Sequence, residues 1–193
     1  KLQLLRDITM VENPDSCIIF CNTQLKVDEV FNELAEHKYT CKMIHGGMEQ
    51  KDRLKVMKAF KLGQFRYLIA TDVAARGIDI DNISLIINYD LPLDRVSYVH
   101  RIGRTGRISK EGRAITFVTK YENNFLNNIQ EYIGKEIDLK ERPTAEMVAK
   151  SKQKFIDKIL STPEIKEAKG TPLSEEIMKI HINAGKKTNM RPA

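Results

Sequence analysis

A chain of 193 residues suits one domain of about 150 residues with an extension, and 41% apolar with 30% charged residues is an ordinary composition for a folded core. Apolar runs reach about five residues, against the roughly 20 needed to cross a bilayer, which excludes a transmembrane helix. The net charge of +6 permits a polyanionic partner, and residues 143–193 carry ten Lys and Arg against six Asp and Glu.

The opening KLQLLRDITM lacks a signal-peptide layout and an initiator Met, so the expectation is a fragment of a longer chain. Leu2 to Val11 reads as a helix ending at Asn13-Pro14-Asp15. Cys17–Phe20 is a buried strand rather than a metal knuckle. Three cysteines and four histidines without ligand spacing predict a reducing, cytoplasmic setting and no metal site. Thr23 should cap a helix with Val27, Val30, Phe31, Leu34 and Ala35 inward. A strand at Lys42–Ile44 leads through His45-Gly46-Gly47 to a helix with Leu54, Met57 and Phe60 inward, stopping at Gly63.

Strands follow at Tyr67–Ala70, Leu85–Tyr89 and Ala114–Val118. Helices are predicted from Asp94 to about Gly103 and over Asn123–Ile133, the latter burying Phe125, Leu126, Ile129, Tyr132 and Ile133 before Gly134. Five or six βα units predict an α/β fold, an open parallel sheet with helices on both faces. A basic helix at Thr144–Leu160 carries Met147, Val148, Phe155, Ile156 and Ile159 on one side, and a short helix runs from Ser174 to about Ile182. The expected organisation is a domain over 1–147 and a basic helical extension over 148–193, partly docked on it.

Unusual polar residues fall at the carboxyl ends of successive strands, the edge where open α/β sheets bind ligands. Arg101, Arg104 and Arg107 recur every three residues, with Gly103 and Gly106 between them. On a helix or 3₁₀ turn they share a face, and arginine's rigid fork suits phosphate. The alternative is a solvated basic face, which two interior glycines argue against. Gln50 and Arg53 occupy one first turn, beside the positive end of a helix; an ordinary charged turn is the alternative. Thr71-Asp72-Val73-Ala74-Ala75-Arg76-Gly77-Ile78-Asp79 leaves a strand with a hydroxyl, two carboxylates, an Arg and a Gly. It suits a nucleotide's ribose, or it holds a structural Asp–Arg pair. No G-x-x-x-x-G-K-[ST] phosphate loop occurs, so the chain reads as half of a site.

CIIFCNT at 17–23, Gln50-x-x-Arg53 after His-Gly-Gly, ATDVAARGIDI at 70–80 and YVHRIGRTGR at 98–107 together resemble the C-terminal RecA-like domain of DEAD-box ATP-dependent RNA helicases. The resemblance covers residues 1–142, and His100 marks the DEAD-box branch. It implies arginine fingers at Arg104 and Arg107 acting on ATP, and nucleotide contacts from Gly77 and Asp79. It implies RNA contacts from Asn22, Thr23, Gln50, Arg53 and Thr71, and coupling of the two sites by Asp72, Arg76, His100 and Arg101. The implied Mg²⁺ is held, with ATP, mainly by an N-terminal RecA-like domain. IHGGMEQKDRLKVM, EYIGKEI and the Gly-Lys-Lys end are similar to the bacterial DbpA group. That similarity implies a C-terminal RNA-recognition domain, large-subunit ribosomal RNA as target, and ribosome assembly. A stand-alone RNA-binding module and a DNA translocase of the wider superfamily are the competing readings.

Overall fold

Four residues of unbroken apolar sequence, Cys17–Phe20, form the central strand β1 of a parallel sheet and are buried throughout. The computed structural model describes residues 1–75, 83–106 and 112–161. Beside β1 lie β2 (Cys41–Ile44), β3 (Tyr67–Ala70), β4 (Leu85–Asn88) and β5 (Arg113–Thr116), in the spatial order β2-β3-β1-β4-β5. From β1 the chain passes to β2 at one edge, returns to β3 between β2 and β1, then crosses over β1 to β4 and β5 on the other side. The strand order therefore reverses at β1, and a crevice opens beyond its carboxyl end.

Alternation along β1 splits the core. Cys17 and Ile19 face a cluster with Leu5, Val27, Val30, Leu34, Ile69 and Ile87. That cluster is covered by α1 (Leu2–Glu12), α2 (Gln24–Glu36) and α7 (Ala145–Ser161). Ile18 and Phe20 face the other way, onto Met57 and Phe60 of α3 (Gln50–Lys61) and Ala74 of the single turn α4 (Asp72–Ala75). Beside β4, α5 (Arg95–Ile102) packs on α6 (Asn123–Ile133) around Leu91, Tyr98 and Ile129.

Local signals hold at the ends. Thr23 accepts from the Lys26 amide at 3.2 Å, while Asp94 accepts from Ser97 at 2.8 Å to start α5. Gly63 and Gly134 adopt positive φ just past α3 and α6, as C-terminal caps. Some inward assignments fail. Leu54 is 61% exposed because the buried arc of α3 is centred on Met57 and Phe60, with Arg53 and Val56 at its margin. Tyr132 turns outward under the Arg95 guanidinium, 4.9 Å from the ring centroid. Met147 and Ile156 are exposed, whereas Phe155 is buried. The four-residue α4 and a 3₁₀ turn at Lys120–Glu122 carry no periodic signal and were not predicted.

The helix α7 runs continuously across position 147 and lies on α1. Phe155 rests 5.0 Å from Tyr39 and 5.8 Å from the Arg66 guanidinium. Lys158 Nζ donates to the Asn13 carbonyl at 2.8 Å and pairs with Asp15 at 2.5 Å. These partners sit at the amino ends of the strands, opposite the crevice. The helix expected from Ser174 lies outside the described residues.

Candidate functional site

The loops leaving β1, β3 and β4 meet around Arg101, on the last turn of α5 and only 1% exposed. Its Nε and Nη2 donate to the two carboxylate oxygens of Asp72 at 2.7 and 2.6 Å. Nη2 also donates to Asn22 Oδ1 at 2.8 Å. Nη1 donates to the Asp90 carbonyl at 2.8 Å and to Asn88 Oδ1 at 3.3 Å. The guanidinium lies 5.2 Å from the centroid of the Phe20 ring. A buried charge is tolerable only when paired and hydrogen-bonded, and the planar fork reaches all these acceptors at once.

Arg101 and Arg104 do not share one helical face. The helix ends at Ile102 with Gly103 as its cap, so Arg101 points inward and Arg104 sits on the following turn. The glycines expected inside a helix lie beyond it, Gly106 with φ of +71°. Arg104 lines a small cleft with Phe20, Asp72, Ala75, Ser97 and His100, the last exposed. Arg76, Gly77, Asp79 and Arg107 lie outside the described residues. Asp72 finds an arginine partner in α5.

The other candidates divide into occupied and available groups. Both ends of the Asn22 amide are used, Nδ2 donating to the Leu91 carbonyl at 2.8 Å, and its main-chain N–H donates to Asp90 at 3.2 Å. Thr71 is buried, its N–H held by the Ile44 carbonyl at 3.3 Å and its carbonyl accepting from Ala75 at 3.0 Å. Thr23 and Gln50 are exposed. Arg53 donates through Nη1 to Gln50 Oε1 and through Nη2 to the Ala74 carbonyl, both at 3.0 Å, which ties the start of α3 to α4. Its buried Nε has no partner among the described residues.

Sequence reasoning missed Phe20, Asn88 and Asp90. The signal was present at Asn88, an amide that closes the apolar run Leu85–Ile87 and is fully buried. Beside this network, burial above all, with Asp90 adding to it, pushes the Cys21 thiol up. Among the described residues no group of three or more His, Cys, Asp or Glu is placed to hold a metal ion.

Residues 1–109 match the family described as the helicase conserved C-terminal domain. The chain belongs to this family. Within it, the fold is that of the C-terminal RecA-like domain of DEAD-box proteins. The C-terminal domain of the DEAD-box protein Dbp5 superposes with a TM-score of 0.66 at 32% identity, over 81% of this chain and 89% of that one. S. cerevisiae Dbp5 bound to RNA and ADP BeF3 gives 0.68 at 34% identity, over 83% and 42%. The ATP-dependent RNA helicase DbpA of Bacillus subtilis is 56% identical over 191 residues, 99% of this chain and 40% of that protein. Eukaryotic initiation factor 4A of Drosophila melanogaster is 46% identical over 132 residues, 68% and 33%. The chain thus spans about two fifths or less of the length of these two curated relatives.

Proposed function

We propose that this chain is the second RecA-like half of an ATP-dependent RNA helicase that separates short RNA duplexes locally. The carrying observation is the cleft at the strand-order reversal, where Arg104 stands beside His100 over a buried Arg101–Asp72 pair. Such a rim can deliver a cation to a phosphate held opposite, and the chain has no phosphate loop of its own.

ATP and single-stranded RNA bind between this domain and an N-terminal RecA-like domain of the same polypeptide. Domain closure brings Arg104 and Arg107 onto the γ-phosphoryl group and offsets the charge that shifts to the leaving oxygen. Gly77 and Asp79 contact the nucleotide, Asp79 at the ribose. Mg²⁺ accompanies the ATP and is held by the N-terminal domain; it supplies charge neutralisation at the phosphates. On the RNA side, Thr23, Gln50 and Arg53 contact the backbone. Asn22 acts by positioning, since both ends of its amide are engaged internally, and buried Thr71 does so through its main-chain bonds to Ile44 and Ala75. Asp72, Arg76, His100 and Arg101 join the two sites. Residues 148–193 lead toward a C-terminal RNA-recognition domain that addresses the enzyme to large-subunit ribosomal RNA during ribosome assembly in the cytoplasm. The relatives named as ATP-dependent RNA helicases support this reading.

In the full-length protein, Arg104→Ala should lower RNA-stimulated ATP hydrolysis by about 10³-fold or more while leaving the circular dichroism spectrum and unfolding midpoint unchanged. Turnover at the wild-type rate would refute the finger assignment. Stimulation by RNA but not by DNA of matched sequence separates this enzyme from a DNA translocase.

A further inference from the structure

The turn between β2 and α3 closes around one side chain, the imidazole of His45. Its Nδ1 accepts the Gly47 main-chain N–H at 3.2 Å, and the His45 carbonyl accepts the Met48 N–H at 3.2 Å. An acceptor at Nδ1 places the proton of the neutral ring on Nε2, which stands 3.5 Å from Asp28 Oδ1 on α2. Gly46, Gly47 and Gln50 around it are exposed, yet the His45 side chain is only 13% exposed. Gln24 shares the Asp28 face of α2, four residues earlier. Its amide lies against the turn: a Cβ on Gly47 would come 2.9 Å from Gln24 Oε1 and 3.2 Å from the imidazole. Glycine there leaves room for both side chains to close on the backbone.

These contacts connect three of the residues proposed for RNA. Gln24 follows Thr23 at the start of α2, and Gln50 opens α3 just beyond Met48. The Ile44 carbonyl, immediately before His45, accepts the Thr71 N–H at 3.3 Å. On its other side the first turn of α3 is fixed to α4 by Arg53. We propose that His45 is a positioning residue for RNA, a clamp that sets the spacing between Thr23 on α2 and Gln50 on α3 so that both meet one phosphate backbone. The Gly47 bond, within ordinary hydrogen-bond range, shapes the turn, and the longer Asp28 contact orients the ring. This role deepens the RNA-helicase reading and rests on it, and it requires no contact between His45 and RNA.

ATP hydrolysis by the full-length protein, measured against the concentration of an RNA single strand, separates affinity from turnover. His45→Phe keeps a ring at the position without either polar contact. It should raise the RNA concentration for half-maximal stimulation on the order of tenfold, the worth of one misplaced charge-assisted hydrogen bond. Its kcat at saturating RNA and its unfolding midpoint should stay at the wild-type values. His45→Asn should recover most of the lost affinity, because an asparagine Oδ1 accepts the N–H two residues on, as Nδ1 does here. Unchanged half-maximal stimulation in His45→Phe, or His45→Asn no better than His45→Phe, overturns the clamp. A fall in kcat or in the midpoint alongside affinity in His45→Phe overturns it too, by showing that the ring serves the fold as a whole. Wild type that neither binds RNA nor responds to it overturns the RNA-helicase reading instead.

Discussion

Arg101 concentrates the physics of the site in one side chain. Its charge is sequestered from water, so its stability rests on Asp72, on the Asn22 and Asn88 amides and on the Asp90 carbonyl. Asp72→Asn removes the only carboxylate among those contacts. Removing one partner of a buried pair costs about 3–5 kcal/mol, and the lower end applies because the Asp72 side chain is 26% exposed. Urea unfolding should report a loss of about 3 kcal/mol; a change below about 1 kcal/mol would mean that the amides and carbonyl alone hold the guanidinium. The thiols give a second check at this scale. Burial pushes Cys41 up to about 12 and raises Cys17 and Cys21 as well, so little thiolate forms near neutrality. Native protein at pH 8 should resist alkylation, and denatured protein should react at all three cysteines.

Among the elements, α7 is the one whose place depends on docking. Its 17 residues hold four lysines, and a helix of that length is marginal in water without a packed face. Phe155 supplies the anchor against Tyr39 and the Arg66 guanidinium, with Lys158 clipping the helix to Asn13 and Asp15. Phe155→Ala should cost about 3 kcal/mol in chemical denaturation. Amide exchange should accelerate over residues 145–161 more than in β1. Equal acceleration in both would show that α7 unfolds only with the whole domain. The opposite behaviour is expected of α3, whose inner face is fixed by Met57 and Phe60 and whose outer lysines can change with little effect on stability.

For the whole molecule, several buried phenols and thiols make stability fall in alkali. Burial moves Tyr39 from 10.0 to about 12 and Cys41 from 9.0 to about 12, and raises Tyr67 and Tyr89 also. The folded state therefore retains protons that the unfolded chain releases from about pH 9 upward. The stabilisation is complete below that range and declines as pH climbs toward 12. Thermal midpoints should hold between about pH 7 and 9 and drop progressively above it. A midpoint unchanged at about pH 11 would contradict this accounting.

Much of the architecture was legible before any coordinates, because it follows from local rules. Apolar runs such as Cys17–Phe20 and Leu85–Ile87 define buried strands. Thr23, Gly63 and Gly134 mark helix ends through capping and positive φ. The polar residues at strand ends also located the crevice. What local spacing could not reveal was partner choice across the chain. It took the strand order to bring Asp72, Asn22 and Asn88 around Arg101, which turned inward and left Arg104 at the cleft. Leu54 faces water for the same reason: periodicity limits a residue to a helical arc, but only the packed sheet decides which arc is covered.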